Sequence, residues 1–176
     1  MGKNLAEISS SDRTLFSYSK KKCVFISHKK EDEAVAVEIG KYLTEIADVN
    51  IYLDLNDCIL QEAVSEDNDK KIVESIHKGL EISTHLLCIV SDKTKTSWWV
   101  PYEIGYATKK EINIASLQLK NVEDIPSYLK IKKVLKTTDE FIQHISKINY
   151  YGEALFDLKY KELNEKDKSI VIKYMR

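Results

Sequence analysis

Glycine is scarce in this chain, with five in 176 residues, and there are only two prolines and three cysteines. No G-x-G-x-x-G follows the first apolar run and no Walker A sequence occurs, so the usual glycine cradle for a nucleotide's phosphates is missing. Any nucleotide has to be held by side chains instead. Cys23, Cys58 and Cys88 are odd in number and form no C-x-x-C pair, which indicates neither a disulfide framework nor a structural zinc site. A reducing cytoplasm is the expected compartment. The four histidines lack metal-ligand spacing, so no metal site is expected. An excess of one charge is lacking too: 27 basic residues face 28 acidic ones, for a net charge of −1. Nucleic-acid binding, which needs a concentrated positive footprint, is therefore not expected. The apolar runs fall far short of the roughly 20 residues of a membrane span, and the amino terminus has no apolar signal core.

What is present is a soluble composition, 43% hydrophobic and 31% charged, in a length that suits one domain with a full-sized core. Lys20-Lys21-Lys22 and Lys132-Lys133 each border an apparent strand and read as solvated edges. Residues 1–21 are polar and serine-rich and read as a flexible lead that packs at most its last few residues on the body. Cys23 to Ser27 reads as a first strand, followed by a polar turn, His28 to Asp32, and a helix from about Asp32 to Ala47. Asn50 to Asp54 reads as a second strand. A long acidic stretch, Leu55 to Asp69, precedes a helix marked by Ile72, Ile76 and Leu80, whose end Gly79 weakens.

Thr84 to Val90 is a short apolar run bounded by Ser91-Asp92 and predicts a buried strand. A helix from about Trp98 to Lys110 and a strand from Ile112 to Leu119 follow. A short turn or helix at Ile125 to Leu129, a strand at Ile131 to Lys136 and a helix at Asp139 to Ile148 complete the pattern. Strands alternating with helices imply an α/β fold, a doubly wound, five-stranded parallel sheet of flavodoxin-like order. Residues 22–148 form this domain, and residues 149–176 read as a helical extension, more simply a cap over apolar surface than a separate functional element.

Ser97-Trp98-Trp99-Val100-Pro101-Tyr102-Glu103 places one carboxylate among three large aromatics at a predicted helix entrance, and Trp98 and Trp99 are the only tryptophans of the chain. Pro101 falls in the first turn, where a missing N–H costs least. Trp99 and Glu103 are four apart and share a face. Ligand sites of open α/β sheets lie at such strand ends. Ser27, His28 and Lys29, in the first strand-to-helix turn, present donors suited to ribose or diphosphate oxygens, or Ser27 and Asp32 simply cap the helix. Asp54 either reaches the ribose or adenine side of a nucleotide or solvates an edge. Trp99 packs in the core or stacks on a ligand, while Trp98 and Tyr102 are the better pocket-lining candidates. His77 and His85 lie away from the expected mouth and receive no role.

Val24-Phe25-Ile26-Ser27-His28, Ile51-Tyr52-Leu53-Asp54 and Ser97-Trp98-Trp99-Val100-Pro101-Tyr102-Glu103-Ile104, in this order and spacing, together resemble the Toll/interleukin receptor (TIR) domain, especially its bacterial NAD⁺-cleaving members. The resemblance covers about residues 22–148. It implies either an NAD⁺ glycohydrolase or cyclase, with Glu103 as the catalytic acid, or a scaffold that joins other TIR domains. Bacterial relatives commonly serve antiphage defence, some by depleting NAD⁺ and others by making a nucleotide signal for a downstream effector protein. NAD⁺ would be the substrate, with no further cofactor, and self-association through the loop after the second strand would complete the site. That loop departs from the family here, since Asn56-Asp57-Cys58-Ile59-Leu60-Gln61-Glu62 lacks the glycine often found in it.

The chemistry is coherent on the residues alone. Nicotinamide leaves NAD⁺ as a neutral base, so no general acid is needed and a single carboxylate can bind the ribose and stabilise the positive charge that develops on the sugar. Against this stands a plainer reading of Glu103, an acid stabilising the start of its own helix. A non-catalytic TIR interaction module is the alternative to the enzyme. A nucleoside deoxyribosyltransferase-like enzyme would need base-reading residues that the sequence does not display.

Overall fold

Five strands, all parallel, form one sheet in the order β2-β1-β3-β4-β5. They are β1 (Cys23–Ser27), β2 (Asn50–Tyr52), β3 (His85–Val90), β4 (Asn113–Gln118) and β5 (Lys133–Leu135). The computed structural model describes residues 1–9, 22–53, 68–148 and 172–175. Helices α1 (Glu33–Lys41), α2 (Asp69–Glu81), α3 (Trp99–Lys109), α4 (Ser127–Lys130) and α5 (Thr138–Ile148) alternate with the strands. This is the expected doubly wound order, and it puts the chain reversal between β1 and β3, where such sheets open a crevice at their carboxyl edge.

β1 is buried along its whole length and β3 from Leu86 onward, because helices cover both faces of the sheet, and this is why they read as continuous apolar runs. Val24, Ile26, Leu87, Ile89, Ala115 and Leu117 face α1 and α5. Phe25, Leu86, Cys88 and Val90 face α2, α3 and α4. On the second face Phe25 and Tyr52 stack at 5.6 Å between ring centroids, 7° from parallel. Gly79 follows from this stack. A Cβ at that position would lie 2.4 Å from the Tyr52 ring, so glycine lets α2 approach the sheet, and the helix continues past it to Glu81.

Helix ends follow local chemistry. Asn68 caps α2 by accepting from the Lys71 amide at 3.2 Å. Before α5, Thr137 Oγ1 accepts from the Glu140 amide at 3.2 Å while Glu140 Oε2 accepts from the Thr137 amide at 3.2 Å, a reciprocal capping box. The expected first helix is shorter than its apolar spacing predicts. A 3₁₀ turn, Lys30–Asp32, leads into it, and a π turn, Tyr42–Ile46, ends it, which accounts for the mixed periodicity of residues 34–46.

The first nine residues correct the expectation of a flexible lead. Asn4 forms a parallel bridge with Ile51 on the open edge of β2, and its side chain accepts from the Leu53 amide at 3.1 Å and donates to the Leu53 carbonyl at 3.2 Å. Leu5 and Ala6 are buried against the second core face. An edge strand offers unpaired backbone groups, and this segment satisfies them. Residues 10–21 lie outside the described residues, as do 149–171, most of the proposed extension. Met175 is buried in the core on the α1 and α5 face, and the Lys120 amide donates to the Tyr174 carbonyl at 2.9 Å.

Candidate active site

Ser97 is extended and its hydroxyl accepts from the Val100 amide at 3.2 Å, which starts α3 at Trp99. Pro101 is then the third helical residue, still within the turn whose N–H groups have no partner in the helix. Glu103 comes one turn in and turns inward with Val100, Ile104 and Ala107, so that only 5% of its surface is exposed. It is not an acid on the exposed first turn. Its Oε2 accepts a hydrogen bond of 2.5 Å from the Ser27 hydroxyl at the carboxyl end of β1. Ser27 is itself buried, so the pair lies enclosed at the carboxyl end of β1, where β1 runs beside β3.

Burying a carboxylate costs several kcal/mol unless donors replace the lost water. The Ser27 hydroxyl is one such donor. Cys88, opposite Ser27 on β3, registers the local field. Burial first, and then the negative charges of Glu103 and Asp32, push its thiol well above the ordinary range, against the Ser27 hydrogen bond. Cys88 is thus a neutral, inert thiol. Cys23 is likewise pushed up to about 12 by burial.

Asp32 and Ser27 were both candidate helix caps, and neither caps α1. Asp32 is buried and accepts from Ser91 Oγ at 2.5 Å, tying the first turn to the segment after β3. The Ser91 amide donates to Thr94 Oγ1 at 2.9 Å, which holds the 3₁₀ turn Thr94–Thr96 in place. Lys29 donates to Thr96 Oγ1 and pairs with Glu31 at 3.5 Å. His28 is half-buried, with Nδ1 3.4 Å from the Ile26 carbonyl. Through Ser27 and Lys29 the first strand-to-helix turn is joined to α3 and to the 3₁₀ turn that precedes it.

The aromatics divide differently from the expectation. Trp98 is 91% exposed and projects into solvent. Trp99 is not packed in the core; it and Tyr102 are each 37% exposed and meet edge to face at 6.2 Å. Tyr102 also reaches α2, where His77 Nε2 lies 2.6 Å from its hydroxyl. The His77 ring stacks on Tyr106 at 4.0 Å, 18° from parallel. His77 is the residue that sequence reasoning set aside. Its signal is visible only in hindsight, in the 99, 102, 106 spacing of aromatics along one stripe of α3, which needs a partner on another helix. Asp54 lies outside the described residues.

A cavity of about 630 Å³ opens elsewhere, at the outer edge of β2, among Asn4, Glu7, Glu33 and Lys41. It includes neither Glu103 nor Ser27 and carries no part of this site. No helix among the described residues is long and apolar enough to cross a membrane.

Residues 25–124 match the family described as Thoeris protein ThsB, TIR-like domain. The chain belongs to this TIR family. The match begins inside β1 and ends beyond β4, so it contains Ser27, His77 and Glu103. Among solved structures, the crystal structure of the TIR domain of the Toll-related receptor TRR-2 from Hydra magnipapillata is similar, with a TM-score of 0.53 and 14% identity over 78% of this chain and 97% of that one. At that identity the likeness speaks for the fold, which is the TIR fold. No sequence among the curated proteins matches.

Proposed function

We propose that this TIR protein acts in antiphage defence by cleaving the nicotinamide–ribose bond of NAD⁺, releasing nicotinamide and a linear or cyclic ADP-ribose product. The observation that carries this reading is the Glu103 carboxylate, buried one turn into α3 and oriented by the Ser27 hydroxyl at 2.5 Å. A buried carboxylate held in one orientation suits stabilisation of a developing oxocarbenium charge. Nicotinamide departs neutral, so nothing in the reaction calls for a second carboxylate. NAD⁺ is the substrate and no separate cofactor takes part. Ser27, His28 and Lys29 present polar groups toward the ribose and diphosphate, in place of the missing glycine amides, and Trp99 and Tyr102 offer aromatic surface beside them. An effector protein that senses the product is the corresponding partner, and the cytoplasm, where NAD⁺ is held, is the corresponding compartment.

Incubating the purified protein with NAD⁺ and separating the products by chromatography tests the reading. Nicotinamide appearing in step with one ADP-ribose isomer is expected. Intact NAD⁺ after long incubation at high protein concentration, with phage-derived activators present, would count against it. A non-catalytic TIR interaction module is the second reading, and the exposed Trp98 indole favours it, because such aromatics are enriched at interfaces. Self-association without NAD⁺ turnover, abolished by Trp98→Ala, is its signature.

A further inference from the structure

We propose that His77 is a positioning residue of this site. From α2 it fixes Tyr102, and through Tyr102 the Trp99 ring, on the exposed side of α3, the helix that carries Glu103. The inference rests on the NAD⁺-cleaving reading for its kinetic consequence, though its geometry stands apart from that reading.

Three contacts make a chain across the seam between two helices. His77 stacks on Tyr106 at 4.0 Å, which fixes the plane of the imidazole. The fixed ring places Nε2 2.6 Å from the Tyr102 hydroxyl, so the phenol has one preferred rotamer. Tyr102 in turn meets Trp99 edge to face at 6.2 Å, 89° from parallel. Tyr106 is anchored from its other side, donating to Glu81 Oε1 at 3.3 Å. Glu81 also pairs with Lys110 at 3.8 Å, so the far end of the stack is tied to both helices.

The arrangement has a functional reason. Trp99 and Tyr102 are each about a third exposed, and side chains at that exposure ordinarily sample several rotamers. Freezing them beforehand removes an ordering cost from binding. His77 therefore acts on substrate capture through Tyr102, and touches neither substrate nor reacting bond.

Four variants separate the possibilities: His77→Leu, Tyr102→Phe, the two combined, and His77→Gln, whose side-chain amide reaches the position of Nε2. His77→Leu and Tyr102→Phe should each raise KM for NAD⁺ by roughly 3- to 10-fold, the loss of about one side-chain hydrogen bond, with kcat changed less. The combined variant should be no worse than either alone, and His77→Gln should recover most of the loss. In a Trp98→Phe background, Trp99 is the only indole, and its fluorescence anisotropy should drop in His77→Leu and Tyr102→Phe without any substrate present. Additive losses, a KM that does not move, or failure of His77→Gln to rescue would overturn the proposal. The anisotropy keeps the two ideas distinct. If the unmodified protein leaves NAD⁺ intact yet anisotropy drops in both variants, the positioning role holds and the substrate is wrong. If anisotropy is unchanged while the protein turns over NAD⁺, the positioning role fails alone.

Discussion

Ser27 and Glu103, 76 residues apart in sequence, share a buried hydrogen bond of 2.5 Å that ties the carboxyl end of β1 to the first turns of α3. It joins two of the segments that mark the family, and it turns the first strand's terminal serine from a turn residue into part of the site.

Glu103→Gln keeps the size of the side chain and an oxygen to accept from Ser27, but removes the negative charge. Nicotinamide release should fall on the order of 100- to 1000-fold, the usual loss when a well-placed electrostatic contributor is removed. Thermal unfolding should stay cooperative, because the amide fills the same space as the carboxylate and still accepts from Ser27. Turnover equal to that of the unmodified protein would remove Glu103 from the chemistry.

Ser27→Ala tests orientation separately from charge. The carboxylate keeps its charge but loses a donor that favours the ionised form, so kcat should fall by roughly 10-fold, well short of the Glu103 variant. A normal kcat would show that the hydrogen bond serves packing alone.

Much of this was legible in the sequence, for reasons that differ by element. β1 and β3 were plain because strands covered on both faces are continuous apolar runs, and Trp99 to Lys109 because Pro101 and Ser97 mark its start. Glu103 could be singled out because its neighbours are aromatic. The partner of Glu103 could not be read, since Ser27 looks like any turn serine until β1 and β3 are paired. His77 was missed for the same reason: its meaning depends on the packing of α2 against α3, a relation with no local period. The packing of residues 1–9 was missed because its anchors, from the Met1 amine on Asp48 and backbone bonds at Gly2 and Lys3 to the Asn4 side chain and buried Leu5 and Ala6, act at an edge that only the sheet order reveals.

Gly79 gives a prediction about stability. In an open helix interior, alanine would be better than glycine by about 1 kcal/mol. Here the added Cβ would sit 2.4 Å from a Tyr52 ring that is buried and stacked on Phe25, so the ring cannot swing aside. Gly79→Ala should therefore destabilise the domain by about 1–3 kcal/mol, the range for overpacking, read as a lower urea midpoint with an unchanged slope. A higher midpoint would mean that α2 shifts freely on the sheet.

The last prediction concerns acid. His85 and His144 are both pushed down to about 4, mainly by burial, with Lys22 acting on the first and Lys133, His85 and Lys147 on the second. In the unfolded chain both take up a proton near the ordinary value of about 6.5. Between roughly pH 6.5 and 4 the unfolded state therefore binds protons that the folded state refuses, so stability falls as pH falls through this window and levels off below it. Each ring keeps some contact with water, so each contributes less than the ~1.4 kcal/mol per pH unit of a fully coupled proton. Glu140, held below the usual carboxylate range by the Lys136 and Thr137 amides, adds a loss in the same direction only at lower pH. Urea unfolding at half-unit steps from pH 7 to 4.5 should show the decline beginning near 6.5. A His85→Gln, His144→Gln variant should be flatter over that interval. A decline of equal slope in that variant would place the sensitive groups elsewhere.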